Sequence, residues 1–182
     1  DMMIPEEFLD IRPFEPEELP EAIDRIFSSE QFRTILPYIF PEIPVEMLHK
    51  KMKEVKNSME FQRAFSYHFV YWVLNKTSKS VSFNCDAIDK SKHFTFLSNH
   101  RDIVLDSAIL DVLVIDAGFD TSCEIAIGDN LLSLPWVKDL VRVNKSFIVE
   151  RGLPPRQMLI ASKRLSNYMH FVMTNKSENI WI

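Results

Sequence analysis

From residue 79 onward, short apolar runs alternate with segments of helical period, and this alternation is what most restricts the fold. Strands separated by helices are joined by crossovers rather than hairpins, so they lie parallel in a sheet covered on both faces. The strand-like runs are Val81 to Cys85, which alternates as a half-exposed strand should, then Phe94 to Leu97, Cys123 to Ile127, Ser146 to Val149, and Asn179 to Ile182. A near-uniformly apolar helix is predicted from Ile103 to Ala117, ended by Gly118. Residues 131–141, interrupted by Pro135, read as a short helix or a turn-rich connector. Pro154-Pro155 opens a long helix to about Thr174, with Met158, Ala161, Leu165, Met169 and Val172 inward.

Before Lys76 the period is helical throughout. Pro16-Glu17-Glu18 places acids in a first turn, and Leu19, Ala22, Ile23, Ile26 and Phe27 follow at helical spacing. Ser28-Ser29 interrupts, and a second segment runs through Phe32, Ile35, Leu36 and Ile39. Pro44 starts a third, with Val45, Leu48, Met52 and Val55 on one face. Lys50, Lys51, Lys53 and Lys56 occupy the other face, read as solvated, with an anionic-ligand or membrane patch as the alternative. Residues 58–75 carry Phe61, Phe65, Phe69, Trp72 and Val73, an aromatic stripe that marks the centre of the helical region. The expected organisation is therefore an N-terminal helical region, residues 1–78, of about four helices, followed by an α/β core over residues 79–182.

Composition removes several functions. With only 3 Gly, neither the dinucleotide fingerprint nor the P-loop is present. A net charge of −5 argues against sequence-independent nucleic-acid binding. The 2 Cys, Cys85 and Cys123, lie in apolar runs without paired or metal-ligand spacing, and read as buried thiols in a reducing compartment. No metal is expected, since no two ligand-type residues are spaced so as to be tied to a third. No signal peptide and no apolar stretch of ~18 residues is present. The expected location is cytoplasmic, with peripheral contact at the inner membrane face left open.

The best site candidate is Phe94 to Asp106, FTFLSNHRDIVLD, which reads as strand, polar turn and helix. His100 then sits at the carboxyl end of a strand, where open α/β sheets bind their ligands. A neutral imidazole, with a reference pKa of about 6.5, can accept a proton near neutral pH, and a carboxylate on its other nitrogen would hold it in one tautomer. Asp102 and Asp106 are both placed for that. GxSxG is missing, so the hydroxyl that His100 activates would come from a substrate. Arg151, at the end of a strand and just before the Pro-Pro helix start, is a natural phosphate ligand, and Arg156 in the first helical turn could assist. Asp111 and Asp116 read as solvent-facing or helix-end acids, and His49, His68, His93 and His170 show no partner pattern.

Ser98-Asn99-His100 followed by an acid entering an apolar helix resembles the first motif of the glycerolipid acyltransferases, the glycerol-3-phosphate and lysophosphatidate enzymes. Asn130 to Trp136, then Asn144 to Arg151 with its Phe147-Ile148-Val149-Glu150-Arg151, resembles that family's Pro-containing connector and Phe-Ile-x-Arg strand. The likeness covers roughly residues 79–182 and is nearest to versions from Bacteroides-like bacteria. Five residues separate His100 from Asp106, one more than the family's spacing, and Asp102 is two positions on. Asp106 misses the expected position by less, and Asp102 stays open. The family's third and fourth motifs would fall past Ile182, so the chain reads as a domain incomplete at its C-terminus and is expected to be inactive or nearly so alone.

The resemblance implies O-acyl transfer, in phospholipid biosynthesis, from acyl-CoA or acyl-carrier protein to a hydroxyl of glycerol phosphate or a lysophospholipid. It implies His100 as general base, the acid as its support, Arg151 on the phosphate, and no bound cofactor. An amino-acid-headed lyso-lipid is the alternative acceptor. A non-catalytic lipid- or partner-binding module is the alternative class, with a carrier protein docking on the lysines of residues 50–56. A plain α/β domain with a structural His–Asp contact is the third reading.

Overall fold

The computed structural model describes residues 2–99, 101–102 and 105–182. It is an α/β fold with an N-terminal helical region. Helices α1 (Leu19–Phe27), α2 (Glu30–Ile39) and α3 (Val45–Lys53) are followed by α4 (Ser58–Phe61), a π-helical turn over Gln62–Ser66, and α5 (Tyr67–Thr77). Then come β1 (Thr95–Phe96), α6 (Leu105–Asp116), β2 (Cys123–Gly128), α7 (Pro135–Val143), β3 (Ser146–Val149), α8 (Pro155–Phe171) and β4 (Asn179–Trp181).

The sheet order is β1-β4-β2-β3, every pair parallel. Ile180 and Trp181 of β4 align with Thr95 and Phe96 of β1, and Ile125 of β2 aligns with Ser146 of β3. Side chains alternate across the sheet, so each face meets a different helix. Phe147 and Ile180 pack with Tyr168 and Val172 under α8 and the turn that continues it. Cys123, Ile125 and Trp181 face the other way, against Leu110 of α6.

The ends of the elements follow from local chemistry. Pro44 and Pro154 precede α3 and α8, and Pro135 is the first residue of α7, a position where its missing N–H costs nothing. Pro135 therefore opens that helix instead of interrupting it. Helix α6 ends in a left-handed Gly118 (φ 82°), with Phe119 N–H donating to the Val114 carbonyl and Gly118 N–H to that of Ile115. This is a Schellman cap, closed by apolar contact between Val114 and Phe119.

Residues 81–85 are a correction to the sequence reading, since they join no sheet. Val81 and Phe83 are exposed, and only Cys85 is buried. Asn84 Oδ1 accepts the Asp86 amide at 3.0 Å, and Ile88 N–H reaches the Cys85 carbonyl at 2.9 Å. The Asn84 side chain and the Cys85 carbonyl are thus used in a local turn.

The helical region shares its core with helix α7. Val143 of α7 is buried in the same cluster as Ile26, Leu36, Leu48 and Phe61, with Trp136 and Leu140 packed on it. Arg25 pairs with Asp139 at 2.8 Å across α1 and α7. The lysine face of α3 is solvent-exposed, with Lys53 bonded to Asp24 at 2.7 Å. Among the described residues no helix is long and apolar enough to cross a membrane.

Candidate functional site

The parallel strands send all their carboxyl ends to one edge of the sheet, and the candidate residues follow those ends. The turn after β1 is fastened at both sides. Ser98 N–H donates to the Ile182 carbonyl at 3.4 Å, and Trp181 Nε1 donates to Ser98 Oγ at 3.1 Å. On the helix side, Asp106 Oδ2 accepts the amides of Arg101 at 2.6 Å and Asp102 at 2.9 Å. Asp102 Oδ1 accepts the Leu105 amide at 2.8 Å, a capping bond at the start of α6. Carboxylates suit this place because the first amides of a helix carry partial positive charge. His100 lies outside the described residues, and so does its expected pairing with Asp102 or Asp106.

Across the sheet edge, the Arg151 amide donates to Asp129 Oδ1 at 3.0 Å, tying the end of β3 to the end of β2. The Arg151 side chain lines a cavity of about 550 Å³ with Ile125, Ile127, Gly128, Asn130 and Leu131. Arg156 is exposed in the first turn of α8 and does not line that cavity, so the two arginines are not brought together around it. A second cavity, of about 390 Å³, shares Ile125, Ile127 and Leu131 with the first. Ser107 and Ala108, directly after Asp106, form part of its wall.

Gly128 is a residue that sequence reasoning left without a role. A Cβ there would press into Asn130 Oδ1 and come within 3.5 Å of Arg151 Cγ. Its backbone is ordinary extended chain, and the atom nearest to such a Cβ is the far end of the exposed Asn130 side chain, which can turn aside. Gly128→Ala is expected to turn the exposed Asn130 side chain aside and to change stability by no more than about 0.5 kcal/mol. A denaturant melt checks this.

The amino ends of the strands hold a different cluster. Asp111 is not solvent-facing, as the sequence suggested, but buried on α6. Its Oδ1 accepts the Cys123 amide at 2.8 Å and its Oδ2 accepts Gln62 Nε2 at 3.1 Å. Burial pushes its carboxyl up to about 7, against the pull of the Cys123 amide and the Lys145 charge. Asp116, by contrast, is a helix-end acid, exposed and accepting the hydroxyls of Tyr67 and Tyr71. Lys145, left-handed at φ 66°, is buried and bonds Thr121 Oγ1 at 2.9 Å and Glu178 Oε2 at 2.5 Å. Glu124 accepts the Tyr168 hydroxyl at 3.1 Å and Lys176 Nζ at 2.6 Å, and burial raises its carboxyl. These groups join elements at the end of the sheet away from Arg151. The legible signal for Asp111 was its position, four residues after Ser107 on the inward stripe of an apolar helix.

His49 also has a partner that the sequence did not suggest. It bonds Asp24 at 2.7 Å and stacks on Phe27 with ring centroids 4.4 Å apart. Cys85 and Cys123 are free, buried thiols. Among the described residues, no group of His, Cys, Asp or Glu is placed to hold a metal ion. Compared with family models, curated proteins and solved structures, the chain matches none.

Proposed function

We propose that this protein is an O-acyltransferase that moves a fatty acyl group from a thioester to a hydroxyl of a glycerol phosphate or lysophospholipid. The observation that carries the reading is the pairing of two cavities that adjoin along β2. One holds a guanidinium and an amide, the other is apolar, and they share three aliphatic residues. A phosphate-headed, hydrocarbon-tailed reaction needs that combination, and the Ser98 to Asp106 turn ends where the apolar wall begins.

In this mechanism Arg151 holds the acceptor's phosphate through charge-assisted hydrogen bonds. His100 takes the proton of the acceptor hydroxyl as the oxygen attacks the thioester carbonyl. The C–S bond then breaks, and the imidazolium returns its proton to the departing thiolate. Asp106 steadies the imidazole. Asp102 is the alternative for that role, and each of the two carboxylates already has one oxygen on backbone amides of the turn. The donor is acyl-CoA or acyl-carrier protein, and contact with a membrane surface would be peripheral.

Arg151→Ala tests the acceptor side. Loss of a charged hydrogen-bonding partner is worth about 1.5–3 kcal/mol, or roughly 10- to 100-fold in lysophosphatidate affinity. Unchanged affinity, with thermal unfolding also unchanged, would overturn the assignment of Arg151.

A further inference from the structure

We infer that the outer face of α8, carried by Arg156, Leu159, Ile160 and Lys163, is a docking surface for an anionic lipid bilayer, and that it sets the carboxyl edge of the sheet toward the headgroups. The surface stands on its own side chains; what it would do for an acceptor at Arg151 rests on the acyl-transfer reading.

Helix α8 carries more apolar side chains than the sheet can use. One inward stripe is needed, and Leu165, Tyr168 and Met169 supply it by packing with Phe147 and Ile180. Residues 156, 159, 160 and 163 follow the spacing i, i+3, i+4, i+7 and so form a second stripe. This one is turned outward. All four residues are exposed, Leu159 by 73% and Ile160 by 63%. Lone exposed aliphatics are ordinary, but a pair set between cations on one stripe is what an interfacial helix presents.

The charge around the stripe is one-sided. Residues 152–177 contain no Asp or Glu, although the chain has 26 of them and a net charge of −5. Arg164 is held by Asp10 and Glu150, and Lys176 by Glu124. Among the described residues Arg156 and Lys163 enter no ion pair. A second copy of this face would set those cations against their own kind. An acidic protein would meet the cations, yet two aliphatic side chains standing proud of a convex helix suit a phase that yields around them. An anionic bilayer answers both needs, its headgroups taking the cations and its acyl boundary taking Leu159 and Ile160. The lysine face of α3 is less suited, since Lys53 is held by Asp24 and the helix is flanked by Glu46 and Glu54.

Topology supplies the orientation. Because β3 and β4 are both parallel to β2, α8 runs back from the carboxyl end of β3 to the amino end of β4. Its first turns, which bear the stripe, therefore lie at the carboxyl edge, shortly after Arg151. Leu97, straight after β1, and Leu134, just before α7, are exposed aliphatics at that same edge.

The test is cosedimentation of the whole chain with vesicles of phosphatidylcholine, alone or mixed with phosphatidylglycerol, at low and high salt. Binding is expected to the mixed vesicles and should weaken as salt screens the charges. Arg156→Gln with Lys163→Gln should weaken it about 25-fold, at about fivefold per charge. Leu159→Ser with Ile160→Ser should weaken it at least about tenfold. A polarity-sensitive fluorophore on Leu159→Cys should shift to the blue on the mixed vesicles, and one on Lys50→Cys should not. Urea melts confirm that these variants, all at exposed positions, are folded. Equal binding to uncharged vesicles, binding undiminished in both folded double variants, or a blue shift at residue 50 alone overturns the inference. So does a chain that ignores vesicles but binds an acidic carrier protein, or itself, through this stripe. An acyl-transfer assay with a water-soluble, short-chain acceptor separates the two readings. Vesicle binding without transfer leaves the docking face and sinks the enzyme, whereas transfer without vesicle binding sinks the face alone.

Discussion

Replacing His100 with alanine is expected to lower the proposed acyl transfer by about 10²- to 10⁴-fold, the usual contribution of a positioned general base. Lysophosphatidate affinity and thermal unfolding should stay as they were, because acceptor binding is assigned to Arg151. The consequence for Asp106 is distinct. Its Oδ2 gathers two amides of the turn, so Asp106→Ala should damage the turn as well as the rate, while Asp106→Asn should preserve the turn and still slow transfer. A His100→Ala protein that transfers acyl groups within about twofold of the unsubstituted rate would remove general-base catalysis from the reading.

Stability should fall as pH rises from about 4 to about 7, through the contribution of Asp111. Its folded carboxyl is held up to about 7 by burial, from an ordinary 3.8. Across that window the native state keeps a proton that the unfolded chain has released, so each step upward in pH favours unfolding. The full effect is about 4 kcal/mol, reached once pH exceeds the folded value. Glu18 and Asp24 act in the opposite sense, since their carboxyls are lowered by Arg12 and by Lys53 with His49. The measurement is therefore the difference between the protein and Asp111→Asn in urea melts at several pH values. The difference should favour the asparagine variant increasingly from pH 4 to 8. A difference that stays constant would place the Asp111 proton elsewhere.

Much of the α/β half was legible because its chemistry is local. Ser146 to Val149 falls where an apolar run predicts it, and Gly118 stops α6 where only a residue tolerant of φ 82° would serve. Leu19, Ala22, Ile23, Ile26 and Phe27 are all buried, as helical spacing requires. What escaped was whatever depends on a distant partner. Val81, Phe83 and Cys85 alternate as a strand does, yet no ladder receives them. Asp111 looked like an exposed acid because its partners, Gln62 and the Cys123 amide, stand 49 and 12 residues away in sequence. For the candidate site, the pattern pointed to Arg151, whose cavity is seen. It could not show that Gly128 and Asn130 stand against it, because that contact arises only when β2 and β3 pair.

The position of β4 has a consequence for biosynthesis. This short strand comes last in the described chain, yet it lies between β1 and β2, and Thr95 and Phe96 find their ladder partners in Ile180 and Trp181. A nascent chain emerging from the ribosome can form the helical region and pair β2 with β3 early. Ser98, however, is anchored by Trp181 and Ile182, so this edge of the sheet takes shape only when those residues have left the exit tunnel. Such late closure, through contacts far apart in sequence, is the slow step expected of parallel sheets, and until then the apolar edges of β1 and β2 stand open to chaperones.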